Sequence, residues 1–105
     1  MPDRDRAKVL RAFFRPIRRA ERDGGSTRFW GDVELARIPA RQGDKRVVLE
    51  EIADRALPAG GTWSEAELNG ILSAYYAEDV ASLRRHLVEF RILGRSGGTY
   101  RRATG

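Results

Sequence analysis

The sequence predicts an α+β chain, mainly helical, in which three helices and a C-terminal β-hairpin form one unit behind an N-terminal amphipathic helix. Three observations predict it. Apolar residues recur at spacings of three and four between residues 45 and 91. Helix-start signals stand at Ser64 and Asp79. Ser96-Gly97-Gly98 separates two short extended runs. With 105 residues the chain has room for a single domain over 1–105. It divides into a helical segment over 1–23, a loop with a short extended piece over 24–43, and the three-helix unit over 44–102.

From Asp3 to Phe14 the apolar residues Val9, Leu10, Phe13, Phe14 and Ile17 make one stripe, while Lys8, Arg11, Arg15, Arg18 and Arg19 take the other faces. Pro16 cannot stand inside an unbroken helix, so it is expected to open a second short helix ending at Gly24-Gly25. The stretch that follows is rich in breakers and holds an extended piece from Glu34 to Ile38, where Pro39 disfavours helix. Two adjacent phenylalanines on the first helix point to packing, either across a homodimer or within the subunit.

Val48, Leu49, Ile52, Ala53 and Ala56 predict a helix over 45–57 with Asp44 as its cap, stopped by Pro58. After a short Thr62-Trp63 segment, Ser64-Glu65-Ala66-Glu67 is a capping box opening a helix over 64–76 that buries Leu68, Ile71, Leu72 and Tyr75. Gly70 in its interior costs about 1 kcal/mol unless something packs closely against it. A tight turn at Ala77-Glu78 leads to a third helix over 79–91, capped by Asp79 and burying Val80, Leu83, Leu87 and Phe90. The run ILGRSGGTYRR then reads as a hairpin. Helix, short strand, helix, turn, helix, hairpin is the order of a winged helix, so the expectation is a winged-helix-like unit.

The net charge is +5 and is unevenly spread. Residues 1–23 carry 8 Lys and Arg against 4 Asp and Glu, residues 24–79 carry 6 against 10, and residues 80–105 carry 6 against 1. A basic C-terminal quarter on an acidic body suits a polyanion, and duplex DNA is the expected partner. The chain has no cysteine, which removes disulfides and thiolate metal sites. No apolar run approaches a membrane span and the charged start is unlike a secretory signal, so a cytoplasmic protein without membrane contact is expected. The single histidine, His86, leaves too few ligands for zinc, and a hydrolytic triad would need that same exposed histidine beside a buried acid, with no nucleophile-elbow motif in the chain. No phosphate-loop spacing occurs. The expectation is a non-enzyme with no cofactor, no metal and no evident small-molecule substrate.

On a helical wheel at about 100° per residue, Leu83 and Leu87 lie opposite Ser82 and Arg85, with His86 flanking. Ser82, Arg85 and His86 are therefore candidates for base edges or phosphates, because arginine bonds guanine bidentately and the others bond bases or phosphates. Arg95, Ser96, Thr99, Arg101 and Arg102 in the hairpin are candidates for the phosphate backbone, where contacts position the protein without reading sequence. Arg84 falls at the core edge beside Val80 and Val88, so its stem should pack and its guanidinium should pair with a carboxylate such as Asp79 or Glu67. The alternative is a protein-interaction domain of the same architecture using Phe29, Trp30 and Trp63.

From Gly43 to Arg102 a further pattern emerges: Lys45, Arg46 and Leu49; Ser64, Glu65, Glu67, Leu68 and Asn69; Asp79, Leu83, Arg84, Arg85, Leu87 and Val88; Arg95 and Tyr100. With Arg37-Ile38-Pro39 upstream, the chain resembles domain of unknown function family 2087, a bacterial domain. The resemblance implies a transcription-regulatory setting, since the domain also occurs attached to DNA-binding regulators. It implies no ligand.

Overall fold

The computed structural model describes residues 3–16 and 33–103. The expected second short helix after Pro16, up to Gly24-Gly25, falls on residues outside these, as do Phe29 and Trp30. Helix α1 (Asp3–Phe13) lays Val9 and Phe13 against the core of its own chain. Arg6 fastens it to α2 (Gln42–Ala56), through Glu51 at 3.1 Å and Glu50 at 3.5 Å. Phe14 and Pro16 depart from the expected helical path. Phe14–Pro16 is a strand, β1, antiparallel to β2 (Val33–Leu35), with Phe14 opposite Leu35 and Pro16 opposite Val33. The locked φ of proline suits an extended strand, and a strand in a two-stranded ladder tolerates its missing N–H. The extended piece expected over Glu34–Ile38 is thus shorter and begins one residue earlier.

Helix α2 begins before the expected Lys45. Arg41 is its N-cap and makes no side-chain cap bond, so Asp44 stands in the first turn rather than at the cap. There its charge still favours the positive end of the helix dipole. Val48, Leu49, Ile52 and Ala53 are buried, and Leu57 closes the helix by donating to the Ala53 carbonyl at 2.8 Å before Pro58 ends it. Gly61 precedes β3 (Thr62–Ser64); a Cβ there would lie 2.7 Å from the Trp63 ring, so only glycine fits without a shift.

Ser64 caps α3 (Glu65–Ser73) as the spacing predicts: its hydroxyl accepts from the Glu67 amide at 3.1 Å and Glu67 accepts from the Ser64 amide at 2.9 Å. Leu68 and Leu72 are buried, whereas Ile71 and Tyr75 are half-buried. The helix stops at Ser73 instead of Tyr76, because the Tyr75 carbonyl turns out to accept from Leu35 of β2 at 2.7 Å. The turn expected at Ala77-Glu78 is one turn of 3-10 helix, Ala77–Asp79.

Helix α4 (Val80–Glu89) ends two residues short of Arg91 in a Schellman motif, with the Arg91 amide on the Val88 carbonyl and the Ile92 amide on the Leu87 carbonyl, both at 2.9 Å. Arg91 therefore takes φ +62, a left-handed conformation that costs a non-glycine residue about 1 kcal/mol. Strands β4 (Leu93–Ser96) and β5 (Thr99–Arg102) form the predicted hairpin. Of its two turn glycines only Gly97 has positive φ, as a type II′ turn requires. The sheet runs β3-β5-β4, all antiparallel. Leu49, Ile52, Leu57, Leu68, Leu72, Leu83, Leu87 and Leu93 fill the space between this sheet and the helices. At about 1.5–3 kcal/mol for each fully buried side chain, they are the main stabilising contribution. The molecule is α+β and mainly helical.

Candidate nucleic-acid interface

Helix α4 presents two different faces. Leu83 and Leu87 are fully buried, while Ala81, Arg85 and Glu89 are exposed. Ser82 is half-buried and its polar atoms are engaged: its amide donates to Asp79 at 3.1 Å and its hydroxyl to the same carboxylate at 2.7 Å. These bonds, the hydroxyl first, hold the Asp79 carboxyl below its ordinary 3.8. Capping thus uses the hydroxyl that the wheel pointed toward a ligand. His86 is also largely covered, with Nδ1 lying 3.2 Å from Glu89 Oε1.

Arg84 packs at the core edge, as its wheel position suggests, but its partners are Asn69 and Glu65 of α3 rather than Asp79 or Glu67. Its guanidinium donates to the Asn69 side chain and stands 4.0 Å from Glu65, whose other oxygen accepts from the Tyr100 hydroxyl at 3.2 Å. Asn69, Glu65, Arg84 and Tyr100 therefore tie α3, α4 and β5 together. Arg84 has a structural place, and the position of Asn69 one helix away is what the sequence could not supply.

Arg85 and Arg95 line one cleft of about 240 Å³ between α4 and the hairpin, together with Arg84, Tyr100, Glu65 and Glu89. The Arg95 guanidinium lies 5.6 Å from the centre of the Tyr100 ring. Strand register explains why. Arg95 is opposite Tyr100, so both side chains leave the same face of the hairpin, toward α4. Thr99 pairs with Ser96 and Arg101 with Gly94, which puts Ser96, Thr99 and Arg101 on the other face, all exposed. Arg102 points inward: it donates to the Leu57 carbonyl at 2.7 Å and to Asp54 at 3.0 Å. Period-two alternation thus splits the basic run of the hairpin into three environments.

Among the described residues no group of three or more His, Cys, Asp or Glu side chains is placed to hold a metal ion, and no helix is long and apolar enough to cross a membrane. These features define a small basic α+β domain in which a helix and a hairpin flank an arginine-bearing cleft. The chain belongs to domain of unknown function family 2087 (DUF2087), described as an uncharacterized protein conserved in bacteria, whose model matches residues 34–102. The match begins in β2 and takes in every element of the cleft, leaving α1 and β1 outside it. No curated protein and no solved structure matches the chain.

Proposed function

We propose that this chain is a small DNA-binding, transcription-regulatory protein of winged-helix type, with α4 in the major groove and the β4–β5 hairpin as the wing. The observation that carries the reading is the convergence of Arg85 from α4 and Arg95 from the hairpin on one cleft, in an element order of helix, strand, helix, turn, helix, hairpin. Recognition helix and wing would then each contribute one cation to the nucleic-acid side. Arg85, exposed at the middle of α4, is the base-reading candidate; Arg95 at the hairpin is the backbone-positioning one. Ser96 and Thr99 at the tip, and Arg101 on the outer face, are exposed and are assigned to further phosphate contacts in this reading. Ser82, His86 and Arg102 serve indirectly: they set the helix start, the covered flank and the hairpin's seat.

The reading makes residue-specific demands. Arg85→Ala should reduce affinity for a selected duplex more than for random duplex, by about 1–3 kcal/mol of discrimination. Arg95→Ala should weaken both duplexes alike and lower the salt slope by about one unit. Equal losses from both variants on both duplexes would remove the assignment of reading and positioning roles.

A second reading, a winged protein-interaction domain, draws support from an apolar groove of about 330 Å³ between α1, β1 and α2, lined by Ala7, Leu10, Phe14 and Val33. Trp63 is not part of that surface, since it packs against the core beside Gly61.

A further inference from the structure

A second cleft, of about 410 Å³, lies where α1, α2, the end of α4 and β5 meet. Four arginines line it, Arg6, Arg46, Arg91 and Arg102, with two acidic residues, Glu50 and Asp54. The lining therefore carries a balance of +2. Three of the four arginines are held in place. Arg6 pairs with Glu50 at 3.5 Å, Arg46 with Glu50 at 3.6 Å, and Arg102 with Asp54 at 3.0 Å. Arg46 also lies 5.0 Å above the Phe90 ring, which forms an apolar part of the wall.

Arg91 differs from the other three. It is exposed, its side chain makes no hydrogen bond or ion pair with any described residue, and it stands at the left-handed position that closes α4, where glycine would be unstrained. Residues held in sparsely populated backbone conformations cluster at functional sites, which marks the Arg91 side chain as a candidate for a use that glycine could not supply. The carbonyls of the last turn do not oppose an anion strongly, since those of His86, Leu87 and Val88 accept from Phe90, Ile92 and Arg91.

We propose that this cleft binds a small phosphate-bearing molecule, with Arg91 and Arg46 supplying the forks that grip the phosphate and Arg6 and Arg102 completing a positive wall. Planar guanidiniums match phosphate oxygens two at a time, and its volume is that of a small-molecule site. The carboxylates act as struts for the arginines and limit the site to ligands of high negative charge.

Inorganic pyrophosphate is the probe, titrated by calorimetry into the full chain and into two variants. Saturable binding is expected in the unaltered protein. Arg91→Gly should bind at least roughly tenfold more weakly, while melting at an equal or higher temperature in the absence of pyrophosphate, which separates lost recognition from lost structure. Arg41→Ala removes an exposed arginine outside the cleft that makes no side-chain cap bond, and should leave the affinity unchanged. Absence of saturable binding in the unaltered protein, an unaltered affinity in Arg91→Gly, or an equal loss in Arg41→Ala would each overturn the proposal.

Discussion

Asp79 takes both the amide and the hydroxyl of Ser82, and its carboxyl is lowered mainly by those two bonds, with Arg85 and His86 adding less. Since the folded value lies below the unfolded one, the cap's contribution is complete above 3.8 and is lost as pH falls through the lowered value. We expect the stability difference between the protein and Asp79→Ala to be constant near neutrality and to shrink below pH 3.8 in acid denaturation followed by circular dichroism. A difference that stays constant into the acid range would mean that the bonds to Ser82 do not depend on ionisation. The same residue shows a limit of the helical wheel: it gives the direction of Ser82, and the local competition for its hydroxyl decides what the hydroxyl bonds. Arg102 shows another. Nothing in TYRR distinguishes an inward arginine from its outward neighbour until Asp54 and the Leu57 carbonyl are brought beneath it.

The elements of the three-helix unit were legible because their signals are local. The capping box at Ser64, the Asp79 cap and the recurring leucines each act within a turn or two of chain. Ser64→Ala removes half of a reciprocal cap without touching the packing and should cost about 1 kcal/mol, read as a lower denaturation midpoint; an unchanged midpoint would reject the box. Leu83→Ala or Leu87→Ala empties a fully buried site and should cost about 2–5 kcal/mol, whereas a change under about 0.5 kcal/mol, the size expected of a surface position, would show that the buried face of α4 is misassigned. What could not be read depends on partners distant in sequence. Phe14–Pro16 becomes a strand because Val33–Leu35 pairs with it, and α3 ends early because β2 takes the Tyr75 carbonyl. Asp44 was a plausible cap by residue type, yet the helix extends past it to Gln42.

For the molecule as a whole, the proposed function rests on charge and architecture together. The basic C-terminal quarter is not a uniform patch: Arg84 and Arg102 are engaged within the fold, and Arg85 and Arg95 remain at the cleft. A polyanion partner would meet these two first, with Arg101 on the outer face of the hairpin. Counterion release then makes binding steeply dependent on salt, and neither solvated charge nor protein association through an apolar groove shares that signature. The most direct measurement is a fluorescence anisotropy titration of a labelled random duplex with the unaltered protein at two salt concentrations. DNA binding predicts a saturable rise whose dissociation constant weakens several-fold to many-fold between about 50 and 200 mM salt. No salt-dependent binding to any duplex at tens of micromolar protein, roughly the weaker range of non-specific DNA affinities, would contradict the DNA-binding account and leave the protein-interaction reading in its place.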